Sequence, residues 1–248
     1  MSTQASSKTI GIVGGLGPWT GLDLHRRVLA ATPVEEDQDH LSIVHLARPR
    51  AIGNRNAFLL GDSPVNPGEA IAAVVEDLLR CGAELIAIPC ITAHAAPIIA
   101  PVEACLARHP SAARIDLRTL LEAELLAAHA QGARRCAVLC TVGSRRAQVF
   151  EDLAHPPGLE LAFPTAPIQA RVQSLINAIK ADGSPTWDEA GETRQAIVDD
   201  MREQGCDAVL LGCTELPLPR LPIEGAHVID PNASLAAALY NAATSKKS

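Results

Sequence analysis

Aromatic residues are scarce in this chain: 248 residues hold three Phe, two Trp and one Tyr, too few for a platform that stacks bases. Basic charge is not in excess either, since 21 Lys and Arg stand against 28 Asp and Glu, a net charge of -7. A nucleic-acid partner needs a basic face and is excluded on that balance. No apolar run approaches the roughly 18 residues of a membrane span. The first eight residues lack the apolar stretch of a secretion signal. The seven cysteines form no CxxC pair, which suits reduced thiols in a cytoplasmic protein. No Gly-Lys-Ser/Thr phosphate loop occurs, and a GxGxxG frame begun at Gly15 puts Thr20 at the third glycine.

What is present is an aliphatic pattern, 48% hydrophobic and 20% charged, that alternates strand-like and helix-like segments. Strands are expected at 9–13, 41–47, 85–88, 136–139, 208–211 and 227–229. Helices are expected at 19–31, 68–80, 119–131, 168–180 and 189–204. An irregular loop is expected from 48 to 66. In the helix at 68–80, Ile71, Val74, Val75, Leu78 and Leu79 recur at the 3.6-residue period. Such alternation means βαβ units and mainly parallel sheets.

A faint repeat divides the chain. Gly82 and Gly205 each end a helix, carry an acidic residue two positions on, lead through an apolar strand and reach a cysteine eight positions on, Cys90 and Cys213. Gly132 to Cys140 repeats the interval with Arg134 in place of the acid. The expected architecture is therefore two pseudo-symmetric α/β halves with open, mainly parallel sheets and a site in the cleft between them. One half is assigned residues 8–112 plus 224–248, the other 113–223, and 1–7 a flexible tail. Ligands of open α/β sheets bind beyond the carboxyl ends of the strands, where Cys90, Cys140 and Cys213 all stand. Cys81, Cys105, Cys136 and Cys206 fall in helices or strand bodies and read as packing.

Each motif has a plainer reading beside it. Cys90-Ile91-Thr92-Ala93-His94 and Cys213-Thr214-Glu215 carry the strongest signal, because a thiol near hydroxyls and backbone N–H groups can serve as a base or nucleophile. One such cysteine is more often packing; two at matched positions reverse the odds. Zinc bound by Cys90 and His94 is the rival, although Cys213 has no His or Cys neighbour to complete a set. The glycine run Gly14-Gly15-Leu16-Gly17-Pro18 is a tight turn into a helix whose amides can meet a carboxylate. Thr141 and Ser144 either bind an anion or cap the helix that follows. Arg48, Arg50 and Arg55 are either solvated or able to grip a carboxylate over the cleft.

Gly14-Gly15-Leu16-Gly17-Pro18, Pro89-Cys90-Ile91-Thr92-Ala93-His94 and Gly212-Cys213-Thr214-Glu215 together resemble the cofactor-independent aspartate/glutamate racemase superfamily, aspartate racemase branch, over about residues 8–243. The resemblance implies two pseudo-symmetric α/β halves, a homodimer and an amino-acid or other small carboxylate substrate, with no cofactor and no metal. Cys90 and Cys213 match the two catalytic cysteines and Arg55 the carboxylate-binding arginine. Thr92, Thr141, Ser144, Thr214 and Gly15 are then substrate-binding positions, with His94, Glu215 and Arg171 behind them. The chain departs from the pattern at Ile91, where the family has asparagine, and at Ala170, onto which the family's lysine falls. Ala147 and Phe150 replace a serine and a tyrosine. These losses of polarity lead us to expect a substrate less polar than aspartate, or one held differently. Lyases, decarboxylases and isomerases of the same superfamily, and a non-catalytic binder, are the alternatives.

Overall fold

The computed structural model describes residues 7–183, 191–218 and 225–245. Four parallel strands, β1 (Ile10–Gly14), β2 (Ile43–Ala47), β3 (Leu85–Ala87) and β4 (Ala113–Arg114), form one sheet in the order β2-β1-β3-β4. A second sheet repeats that order with β5 (Arg135–Val138), β6 (Glu160–Ala162), β7 (Ala208–Leu210) and β8 (His227–Ile229), as β6-β5-β7-β8. The two halves are thus pseudo-symmetric parallel α/β units, and β3 and β7 occupy equivalent positions. Cys90 follows β3 and Cys213 follows β7, so the matched intervals in the sequence reflect matched places in the sheets. Cys140 follows β5, the counterpart of β1, whose own apex is the Gly15 turn.

Helices α1 (Pro18–Ala31), α4 (Pro67–Arg80), α6 (Leu117–Ala130), α8 (Ala166–Asp182) and α9 (Gly191–Glu203) fall where the apolar period puts them. The residues before 191 in the last of these lie outside the described ones. On α4, Ile71, Val74, Val75 and Leu78 are buried, and Asn66 caps the helix by accepting the Gly68 N–H. The loop expected at 48–66 is instead partly helical, in α2 (Pro49–Ile52) and α3 (Arg55–Leu60). Pro49 opens the first, and the Asn54 side chain accepts from the Asn56 and Ala57 amides to start the second. Three further helices, α5 (Ala96–Leu106), α7 (Val142–Arg146) and α10 (Pro231–Thr244), escape the pattern. Pro101 sits inside α5, α7 is one turn long, and α10 is rich in alanine.

The sheets correct the division of the chain in two places. β4, at 113–114, pairs with β3 and completes the first sheet rather than opening the second half. β8, at 227–229, pairs with β7 in the second sheet rather than returning to the first. Only α10 goes back: Arg27 of α1 pairs with Asp230 at 3.0 Å, and Asn232 donates to Asp23 at 3.1 Å. The proposed tail, residues 1–7, lies almost wholly outside the described residues, as does the boundary at 223/224. Among the described residues no helix is long and apolar enough to cross a membrane.

Candidate active site

The carboxyl ends of both sheets open on one cleft. Its cavity of about 270 Å³ is lined by Gly15, Gly17, Arg55 and Thr92 from the first half and by Thr141 and Lys180 from the second, among others. Gly15 is required there: its φ is +88°, and a Cβ would come within 2.7 Å of the Pro49 nitrogen. A Cβ on Gly17 would run into the Glu215 carboxylate.

Hydrogen bonds fasten the two cysteine segments to each other. The Pro89 carbonyl, one residue before Cys90, accepts from the hydroxyl of Thr214, one residue after Cys213, at 3.0 Å. It also accepts from Thr20 at 3.1 Å. Covalent geometry then keeps the Cα atoms of Cys90 and Cys213 within about 12 Å of each other. Both thiols are nearly buried, at 5% and 6% exposure. A hydroxyl chain ties the halves together at the cleft wall. Ser144 Oγ lies 2.8 Å from Thr92 Oγ1 and 2.9 Å from Thr141 Oγ1, and Thr141 donates to Asn56 Oδ1 at 2.9 Å. Thr141 also accepts the Ser144 amide, so of the two roles open to this segment the capping of α7 is realised.

A sequence model of Asp/Glu/Hydantoin racemases matches residues 13–239. The chain belongs to that family. Membership supports an enzymatic, isomerase-type activity in general terms. An aspartate racemase from Picrophilus torridus shares the fold with a TM-score of 0.71 at 23% identity, covering 95% of this chain and 94% of its own. An aspartate racemase homologue from Pyrococcus horikoshii gives 0.69 at 20% identity, covering 96% and 100%. A liganded double variant of arylmalonate decarboxylase gives 0.50 at 16% identity, covering 94% and 93%.

The lysine that reaches the cleft from α8 is Lys180, ten residues beyond Ala170. Ala170 and Arg171 are both exposed on α8, and Arg171 stands about 13 Å of helix rise from Lys180. The signal for Lys180 lay in the helical register of α8, one turn before the Gly183 cap, and not in any motif. Lys180 pairs with Glu215 Oε1, while Cys213 Sγ donates to Glu215 Oε2 at 2.9 Å. Burial, and then the Glu215 charge, push the Cys213 thiol well above its ordinary value, against the opposing pull of Lys180. Burial alone would lower Lys180, but the charges of Cys213, Glu215 and Cys90 outweigh it and hold the ammonium up. Glu215 thus stands between the Lys180 ammonium and the Cys213 thiol, bonded to both.

Arg55 donates from Nη1 to the Gly53 carbonyl at 2.7 Å and from Nη2 to the Leu16 carbonyl, and its Nε is buried without a partner. From the start of α3 it carries positive charge into the cavity, held against the Gly15 turn by its bond to Leu16. Arg55→Lys loses the planar fork and is expected to lower kcat/KM about 10- to 100-fold, chiefly through KM. Steady-state kinetics check this, and an unchanged KM would remove Arg55 from substrate binding.

His94 proves to be a structural residue rather than a neighbour that tunes Cys90. Its Nε2 donates to the Ile88 carbonyl at 3.2 Å, and its Nδ1 accepts from Arg114 at 3.2 Å. Both ring nitrogens are spent on these bonds, which also counts against zinc at Cys90 and His94. Burial, then the Arg114 charge, bring the imidazole from 6.5 down to about 4. The unfolded chain therefore binds a proton that the folded one refuses. The stability this supplies is complete above pH 6.5 and is lost as pH falls toward 4, on the order of 3 kcal/mol over the window. In urea unfolding, His94→Gln should flatten the decline of stability between pH 7 and 4.5; an unaltered slope would contradict the assignment.

Ile91 and Phe150 are buried, and Phe150 packs under the turn of Cys213, where a Cβ on Gly212 would lie 2.8 Å from its ring. Cys140 is fully buried, with its thiol pushed up to about 12 by that burial.

Proposed function

We propose that the protein is a cofactor-independent amino-acid racemase of the aspartate/glutamate type, in which Cys90 and Cys213 exchange the Cα proton on opposite faces of the substrate. The observation that carries this reading is the Thr214–Pro89 hydrogen bond, which fastens the two thiol-bearing segments, one from each half, to each other.

Racemisation without a cofactor takes a weakly acidic proton from Cα and returns one to the other face, which calls for a base and an acid of similar strength. Cys213, held protonated against Glu215, is the resting acid. Cys90, as thiolate, takes the Cα proton and the electron pair passes into the substrate carboxylate. Cys213 then delivers its proton to the opposite face and its own thiolate forms beside Lys180. The reverse reaction exchanges the roles. Arg55 and Lys180 hold the carboxylate and stabilise the charge that grows on it, in a cleft where such interactions are strengthened by exclusion of water.

The hydroxyl chain adds recognition of the amino group. Thr141 donates to Asn56, so Ser144 donates to Thr141 and Thr92 donates to Ser144, which leaves the Thr92 oxygen as an acceptor on the cleft wall. A substrate ammonium satisfies it where Ile91 cannot. Thr214, by contrast, is not among the residues that line the cavity, and its hydroxyl donates to Pro89.

A screen of D- and L-amino acids and substituted malonates, without added cofactor or metal, tests this reading. Turnover should survive exhaustive chelation and be lost to thiol alkylation. The resting acid at Cys213 would equally protonate one face of a carbanion left by decarboxylation. Turnover of malonates without any racemisation would therefore replace the present reading with a lyase.

A further inference from the structure

Among the described residues, one group of three Cys, His, Asp or Glu side chains brings its ligand atoms within 4.8 Å of one another: Glu76, Cys105 and His109. None of the three lines the cleft. Glu76 stands on α4, Cys105 near the end of α5, and His109 four residues later on the turn that leaves α5. Glu76 Oε2 is the common point, 3.4 Å from Cys105 Sγ and 3.1 Å from His109 Nε2. In a tetrahedral zinc site, ordinary bond lengths put a carboxylate oxygen about 3.3 Å from an imidazole nitrogen and about 3.5 Å from a thiolate sulfur. Two edges of the tetrahedron are therefore already formed.

We propose that Glu76, Cys105 and His109 form a divalent metal site of the zinc class, with water in the fourth position, clipping α4 to the end of α5. A thiolate, an imidazole and a carboxylate together favour zinc over the hard cations magnesium and calcium. Metal entry displaces the Cys105 thiol proton to solvent, and thiolate and carboxylate then balance the two positive charges. Cys105 is 2% exposed, while the Glu76 and His109 side chains are 26% and 34% exposed, so the group is closed on one side and open to solvent on the other. Two arginines also approach Glu76, Arg80 and Arg108, each at 3.7 Å. Arg80 has a nearer partner in Asp77 at 2.9 Å, Arg108 donates to the Ala104 carbonyl, and both side chains are about two-thirds exposed. Each is free to swing away when a cation arrives.

The full-length chain carrying Cys90→Ala and Cys213→Ala, which removes the cleft thiols, should bind one equivalent of zinc by calorimetry. Cobalt(II) should produce a thiolate charge-transfer band in the same protein. Cys105→Ser should abolish that band, and His109→Gln, at a position about one-third exposed, should weaken zinc at least tenfold without changing the melting temperature of the metal-free chain. Absence of stoichiometric binding would overturn the proposal, as would binding unchanged in both Cys105→Ser and His109→Gln. Because the readout is metal binding in a chain without Cys90 and Cys213, it stands or falls separately from the reading of the cleft.

Discussion

Replacing either Cys90 or Cys213 with alanine should lower racemisation at least about 1,000-fold, the scale of a lost proton-transfer group. Serine at either position should be nearly as poor, since a hydroxyl is a far weaker acid than a thiol. Each single variant should still exchange the Cα hydrogen of the one enantiomer that faces its remaining cysteine. NMR in D2O reads that exchange directly. The wild-type enzyme should place deuterium at Cα of the product enantiomer, because the proton delivered comes from the opposite, solvent-exchanged thiol. Cys140→Ala is the control: its thiol is buried and held protonated, and it follows the counterpart of β1 rather than of β3. Activity there should stay within a few-fold of wild type, allowing for a small packing loss. Near-normal racemisation in Cys213→Ala together with its loss in Cys140→Ala would mean that the wrong thiols have been paired.

Glu215→Gln should reduce kcat/KM about 100-fold or more and shift the ionisation of Cys213 in a defined direction. After burial, the Glu215 charge is the main influence holding that thiol up, and Lys180 pulls it down. Removing the carboxylate leaves Lys180 unopposed, so the Cys213 thiolate should form at lower pH. In a Cys90→Ala background, the onset of iodoacetamide labelling at Cys213, followed by mass spectrometry, should move down in pH. Lys180→Met should move it up. The two enantiomers are equal in free energy, so kcat/KM must fall equally in both directions. The separate kcat and KM values are not so bound, and kcat should suffer most where Cys213 is the donor. A labelling profile that moves in neither variant would deny the carboxylate and the ammonium any hold on the thiol.

Local sequence determined six of the eight strands among the described residues, missing β4 and β6, together with the long amphipathic helices and the matched positions of Cys90 and Cys213 after β3 and β7. Those features rest on short-range periodicity and on a glycine-to-cysteine interval repeated in each half. It also located the Gly15 turn, where only a residue without a Cβ fits the positive φ and the approach of Pro49. The tertiary structure alone decided the rest, because the deciding contacts join residues far apart in the chain. Lys180 lies 35 positions from Glu215, and Pro89 lies 125 from Thr214. His94 and Arg171 look like tuning groups when read beside a motif. Packing gives the first to Ile88 and Arg114 and leaves the second exposed. The short strands β4 and β8 carry too few residues to announce which sheet they join, and their membership follows from which neighbour offers unpaired backbone groups. A motif therefore marks where Cys90 and Cys213 stand in the sheets, but which charges surround them depends on how the two halves close.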